Sequence, residues 1–297
     1  MTSTPARPAR SSLTLLVVLW AVWGTNWPLF PIVLREVSVW NFRTVSCLGA
    51  GLLLLAVARW RGLPLAIPRP LWPRIAIATC FYLVLWNIAS AWAAVLIPSG
   101  QAAILGFTMP LWAALLGWAV LGQRLSPRML LALALGAAAV ALLGWKGLGA
   151  YAQAPLGVAL GLLAALGWAV GTLILQRGAV SVPALVLTGW QLLATAVPIG
   201  AVAGLQWALD DAPPALPSAT VLALIVWITL VPMAIGNLCW FMLVGRLPAA
   251  VAGLSSIMVP VVAMVSGAAV HGEPLGPVQL AAMACSAAGL WLSLKRG

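Results

Sequence analysis

Acidic side chains are nearly missing. The 297 residues include 4 Asp or Glu against 15 Lys or Arg, and charged residues make up only 6% of the chain. A soluble domain carries about 25% charged residues, so this chain cannot cover a water-facing surface. An ordinary soluble enzyme and a disordered tail are both excluded. A net charge of +11 would otherwise suit a nucleic-acid partner. Here it reads as a topology signal with some attraction to anionic lipid head groups, and no nucleic acid is expected.

Other absences narrow the chemistry. His271 is the only histidine, so no site can use two. Cys47, Cys80, Cys239 and Cys285 lie far apart in apolar runs with no C-x-x-C spacing, and read as small buried hydrophobes. There is no Walker loop, no H-E-x-x-H and no G-x-S-x-G. Catalysis, a cofactor and a metal are therefore not expected.

What fills the chain is apolar: 64% hydrophobic residues and a mean hydropathy of +1.10. A bilayer core takes about 20 apolar residues per helix. Charged and Pro-rich breaks delimit ten segments, roughly 13–34, 37–58, 72–92, 97–121, 128–145, 155–177, 184–204, 219–242, 247–271 and 277–294. They are twice the length of a barrel strand and do not alternate in polarity, so they are helices. Arg7 and Arg10 precede the first span like a signal peptide, but Trp20, Trp23 and Trp27 follow without a small-residue cleavage site, so this helix is expected to be retained.

Cytoplasmic loops are enriched in Lys and Arg. With ten spans and both termini inside, Arg7, Arg10, Arg59, Arg61, Arg69, Arg74, Arg124, Arg128, Arg177, Arg246, Lys295 and Arg296 are cytoplasmic. Only Arg35 and Lys146 fall outside, together with all four acids (Glu36, Asp210, Asp211, Glu273) and His271.

The chain repeats itself. At an offset of 150, Thr79 meets Thr229, Asn87 meets Asn237, Pro98 meets Pro248, Pro110 meets Pro260, Gly122 meets Gly272, Leu125 meets Leu275 and Pro127 meets Pro277. Gly24–Thr25 matches Gly171–Thr172 at an offset of 147. Each unit has five spans, an odd number, so the second must enter the membrane inverted. The matched loops agree: 122–128 carries two arginines and 272–278 none. The expected organisation is a tail at 1–12, a first unit at 13–145, an outer linker at 146–154, an inverted second unit at 155–294 and a C-terminus at 295–297. Inverted repeats characterise many secondary transporters, whose halves rock about a site near the midplane.

The stretch Gln101–Ala102–Ala103 through Pro110 to Leu121–Gly122–Gln123–Arg124–Leu125, its second copy from Ala249 through Pro260 to Gly272–Glu273–Pro274–Leu275, Trp-Gly-Thr-Asn at 23–26 and Phe42–Arg43 resemble the drug/metabolite transporter superfamily in its EamA-type ten-helix form. The overall character and aromatic-rich spans are most similar to its aromatic amino-acid exporter branch (YddG-like). The resemblance implies an exporter in a bacterial inner membrane. It also implies a cavity bounded by the first, third, fourth, sixth, eighth and ninth spans.

Polar groups inside a membrane are expensive and usually face the bundle or a cavity. Asn26, Arg43, Asn87, Gln101, Gln176, Gln191 and Asn237 stand out, with Tyr82. Interhelical hydrogen bonding is the plain alternative for each. Arg43 reads first as an interfacial or structural residue, one turn into its span, and second as a partner for a substrate carboxylate. Of the 17 tryptophans, Trp40, Trp60, Trp72, Trp145, Trp207 and Trp291 sit at span ends as interfacial belts. Helical spacing puts Thr79, Tyr82 and Trp86 on one face, with Thr229, Met233, Asn237 and Trp240 as the second copy.

The expected substrate contacts are Tyr82, Trp86, Asn87, Gln101, Trp168, Asn237, Thr79 and Trp240. Pro110 and Pro260, in mid-span, are expected to kink their helices and shape or gate the cavity. No acid lies deep in a span, so transport is expected to be weakly coupled or uncoupled, with Glu273 and His271 as an alternative proton relay. The expectation is a monomeric all-α carrier, ten helices in two inverted repeats, exporting amino acids or similar small amphiphiles by alternating access. A multidrug or other metabolite exporter is the alternative within the fold. A passive channel or an intramembrane lipid-modifying enzyme is the alternative outside it.

Overall fold

A computed structural model describes residues 10–97, 99–122, 125–145, 148–176, 182–209, 216–247, 256, 258–271 and 276–294. Every regular element among them is helical. We number the spans α1 (Ser12–Val33), α2 (Val39–Trp60), α3 (Arg69–Leu96), α4 (Ala102–Leu121), α5 (Pro127–Trp145), α6 (Pro155–Gln176), α7 (Ala184–Leu209), α8 (Ala219–Val244), α9 (Met258–His271) and α10 (Pro277–Leu294). Seven of them are long and apolar enough to cross a bilayer, and α5 and α9 contain shorter apolar helices. With an even number of spans, Arg10 and Leu294 lie on one face, called here the terminal face. Large apolar side chains such as Leu52, Val120 and Val197 point outward, as a lipid-facing surface requires. Trp60, Trp145, Trp207 and Trp291 are exposed at span ends, where indoles favour the interface.

The packing follows a pseudo-two-fold axis. α2 packs on α7 and α5 on α10, each a span against its own equivalent. The contacts of α6 with α3 and α4 are mirrored by those of α1 with α8 and α9. Glycines allow the close approach, as membrane interfaces prefer. The Cβ position of Gly51 is 2.8 Å from Leu193 Cδ2, that of Gly189 is 2.8 Å from Leu55 Cδ2, and that of Gly200 is 3.1 Å from Thr44 Cγ2. Residue numbers rise along α2 as they fall along α7, so equivalent helices run antiparallel and the repeat is inverted.

Four of the described spans, α1, α3, α4 and α8, are not continuous α-helices. α1 leaves α-helical geometry after Gly24 and resumes as a 3-10 turn, Trp27–Leu29, and a short helix, Phe30–Val33. In α3 and α8 the middle is π-helical, over Cys80–Leu85 and Thr229–Gly236, matching at the repeat offset. Pro232 lies inside the second π segment and lacks the N–H that α geometry would use. The matched threonines and asparagines bracket these segments. Thr79 donates to the Ile75 carbonyl and Thr229 to that of Ile225, both at 2.7 Å. Asn87 Nδ2 donates to the Leu83 carbonyl at 2.8 Å and Asn237 Nδ2 to that of Met233 at 2.9 Å. These side chains thus serve carbonyls of their own helix, where bonding between helices was the simpler expectation.

Pro110 differs from its sequence reading. α4 breaks at Phe107–Thr108, and Pro110 opens the half-helix Met109–Leu121. There its missing N–H is one that a first turn leaves unused, so it starts a helix instead of kinking one. Pro260 is the third residue of α9 as described. Gly62 and Gly122 end α2 and the second half of α4 with φ of 69° and 61°, a left-handed turn that glycine takes without strain.

One polar clamp joins the units on the face opposite the termini. Ser218 donates its N–H to Glu36 Oε2 at 2.7 Å and its hydroxyl to Oε1 at 3.0 Å, while its Oγ caps α8 by accepting from Val221 N–H. Gln176 ties α6 to the end of α8 through the carbonyls of Val244 and Leu247.

Candidate functional site

The broken and π-helical segments converge at the centre, around a cavity of about 50 Å³. α1 contributes Trp23, Asn26, Trp27 and Phe30, and α2 contributes Arg43. α3 supplies Leu83, Trp86, Asn87 and Ser90, and the break in α4 supplies Phe107 and Met109. α6 supplies Trp168, and α8 supplies Pro232, Met233 and Asn237. The irregular backbone lies where a cavity receives it, as membrane proteins require.

Trp168 is the hub of the aromatic wall. Its ring centroid lies 4.9 Å from Trp86, 5.5 Å from Trp23, 5.5 Å from Trp240 and 5.7 Å from Tyr82, mostly edge to face. Trp23 fits because residue 236 is glycine, whose Cβ position its indole fills. Its Nε1 donates to the Pro232 carbonyl at 3.2 Å. Tyr82 also packs on Phe241 at 5.2 Å. Phe241 in turn lines a cleft of about 730 Å³ between the ends of α6, α7 and α8 at the terminal face, beside Gln176 and Arg246. Tyr82, Trp168 and Phe241 thus stand between the cleft and the central cavity.

Several polar atoms of the cavity wall are buried without a hydrogen-bond partner: Asn26 Oδ1, Arg43 Nε, Ser90 Oγ, Trp168 Nε1 and Asn237 Oδ1. Buried polar groups are normally satisfied, so each orphan asks for a reason. Arg43 is 3% exposed, with its guanidinium 4.5 Å from the Phe30 ring centre and 5.2 Å from that of Phe42. It does not snorkel outward: Phe30, in the short helix that ends α1, covers it, against the interfacial expectation.

Of the residues read from the sequence, Trp86, Asn87, Trp168 and Asn237 line the cavity. Tyr82 and Trp240 are buried one layer behind, against Trp168. Thr79 is buried at the start of the π segment. The π turn accounts for the separation of Thr79 from Tyr82 in the expected stripe, because more than four residues per turn swing residues three apart off a shared face, while Tyr82 and Trp86, four apart, both meet Trp168. The side chains of Gln101 and His271 and the whole of Glu273 lie outside the described residues. α2 enters the lining through Arg43, and among the described residues α9 contributes nothing to it. The sequence reading passed over Trp27, Phe30, Ser90, Phe107 and Met109 as cavity residues. The adjoining Trp-Gly-Thr-Asn motif at 23–26 was the available signal for the first two.

Two inverted five-helix halves meeting at a small, ring-lined central cavity define a membrane carrier of solutes. The EamA-like transporter family matches residues 10–145 and again residues 155–295, and the chain belongs to that family. A relative in Bacillus subtilis (strain 168), the uncharacterized transporter YvbV, is 25% identical over 275 residues, covering 90% of this chain and 86% of its own. A solved crystal structure superposes with a TM-score of 0.77 at 22% identity, covering 97% of this chain and 96% of the other, which speaks for the fold. The protein is a multi-pass membrane transporter.

Proposed function

We propose that this transporter exports small amphipathic solutes, amino acids with aromatic side chains foremost, by alternating access across a bacterial inner membrane with both termini cytoplasmic. The aromatic amino-acid exporter branch is the part of the superfamily that this reading favours. One observation carries it: the rings of Trp23, Trp27, Trp86, Phe107 and Trp168 surround unsatisfied amide, hydroxyl and indole groups in a single cavity. A flat ring suits the walls, and a zwitterionic end suits the orphan donors and acceptors.

At about 50 Å³ the free space holds a water or two, whereas drug-sized ligands occupy sites of about 300–1,000 Å³. The rings must therefore part to admit a solute. The cleft at the terminal face offers an approach, with Phe241 and Tyr82 at its inner end. The charge split of the loops supports cytoplasmic termini, and the shortage of acids within the spans supports uncoupled or weakly coupled transport.

A broader exporter of amphipathic metabolites or drugs is the second reading, favoured by Met109 and Met233 in the wall, since methionine repacks around ligands of different shape. A counterflow screen of the twenty amino acids in proteoliposomes tests the first reading. Acceleration by preloaded aromatic amino acids is expected, and a screen in which none accelerates tracer entry would overturn it. An imposed pH gradient tests coupling: accumulation against the solute gradient, lost in Glu273→Gln, would replace uncoupled transport by a proton relay.

A further inference from the structure

We propose that Arg43 is the counter-ion for an anionic group of the solute, so that the central cavity selects compounds bearing a carboxylate. This rests on the transport reading above and adds to it which end of the solute is recognised and by what.

Charge accounting comes first. The sequence holds four acids, Glu36, Asp210, Asp211 and Glu273, and none lies within the body of a span. Glu36 is engaged by the backbone and hydroxyl of Ser218. Arg43 is nevertheless buried in the cavity wall, with Nε unbonded. A buried guanidinium is ordinarily paired with a carboxylate. Phe30 and Phe42 hold it by their ring faces, which orients the group and leaves its charge uncancelled. The one acid among the described residues, Glu36, is held by Ser218, and none of the four falls within a span of the sequence, which leaves the solute to supply the partner.

Part of the remaining wall has the opposite polarity. Asn26 Oδ1 and Asn237 Oδ1 are bare acceptors on the same cavity, suited to N–H donors of an ammonium or amide. A carboxylate accepting from Arg43, with a ring among the tryptophans, uses the only permanent charge among the described residues of the cavity lining. Arg246 on the cleft at the terminal face adds a second cation along the approach, which favours entry of anions.

The test uses the full chain in detergent and reads quenching of its own tryptophan fluorescence, which needs no transport. The probes are L-phenylalanine, 3-phenylpropionate and phenethylamine, which hold the ring constant while removing the amine or the carboxylate. The two carboxylates are expected to bind within tenfold of each other, and the amine at least tenfold more weakly. In Arg43→Gln both carboxylates should lose at least tenfold in affinity, and Arg43→Lys should keep part of it. Should Arg43→Gln fail to fold, the probe comparison on the unaltered protein decides alone. Equal binding of amine and 3-phenylpropionate, or carboxylate affinity unchanged in a folded Arg43→Gln, overturns the proposal. If no aromatic probe binds, butyrate and 2-oxoisocaproate are tested the same way. Their Arg43-dependent binding would sustain the proposal while ending the aromatic reading, and no carboxylate binding at all would end the proposal.

Discussion

Replacing Gly167 with alanine drives a methyl group into the seam between α6 and α3. A Cβ there would stand 2.7 Å from the Phe81 carbonyl oxygen and 2.7 Å from Leu85 Cδ2, about 0.7 Å inside ordinary van der Waals contact. The leucine can rotate away. The carbonyl cannot, because it belongs to the backbone of the π segment Cys80–Leu85. Overpacking of this kind costs about 1–3 kcal/mol, against which alanine returns up to about 1 kcal/mol of helix propensity over glycine. The net expectation is a loss of about 1–2 kcal/mol. Gly204, on α7, provides the control, since an added Cβ meets nothing within 4 Å and Gly204→Ala should be neutral or gain up to about 1 kcal/mol. Thermal scans of the purified variants in one detergent, followed by tryptophan fluorescence, compare the two. Opposite shifts are expected from the same chemical change. Equal shifts, or a Gly167→Ala protein as stable as its parent, would refute the close seam between α3 and α6.

Trp168→Ala removes the ring that touches four others; counterflow of aromatic solutes should fall at least tenfold, and unchanged export at normal expression, here and in Trp86→Ala, would sink the aromatic cavity. Asn87→Ala and Asn237→Ala each strip a donor from a carbonyl beside a π segment, and each should cost about 1 kcal/mol in the same thermal scans; a loss confined to one of them would contradict the matched role. Ser218→Ala loses the cap on α8 and the hydroxyl donor to Glu36 Oε1, while the backbone N–H to Oε2 remains, at about 1 kcal/mol. Glu36→Ala added to it should cost less than it does alone, and simple additivity would mean the clamp contributes nothing.

The architecture was legible because its signals are one-dimensional. Apolar run length marks spans, loop charge marks sides, and the matched Thr, Asn and Pro positions mark a duplicated unit. The interior was less legible. Spans that are apolar all round carry no phase, so nothing in the first repeat announces the π segment Cys80–Leu85. In the second, Pro232 was a visible hint. Nothing in the sequence showed that Thr79 and Asn87 donate to carbonyls of their own helix beside that segment. The burial of Arg43 was hidden for a related reason. Distance along the chain from a span end measures depth only if the neighbouring span is continuous, and Phe30, beyond the break in α1, covers the guanidinium. Trp86 and Trp168 were found from type and mid-span position alone, since rings that deep have no interfacial role.

The pairing of α2 with α7 and of α5 with α10 has a geometric consequence. Suppose the two halves trade shapes, as an inverted repeat permits. Every contact between two different kinds of span then turns into its counterpart on the other side, so a close one can become loose. A contact between a span and its own double turns into itself. Gly51 against Leu193 and Gly189 against Leu55 would keep company in both shapes, like the pin of a door hinge. What changes sides must be sought where the halves differ, as at residue 86, a tryptophan, and residue 236, a glycine. The duplicated gene thus tells which seams are fixed by symmetry, and it is in the unequal pairs that a direction of travel can be written.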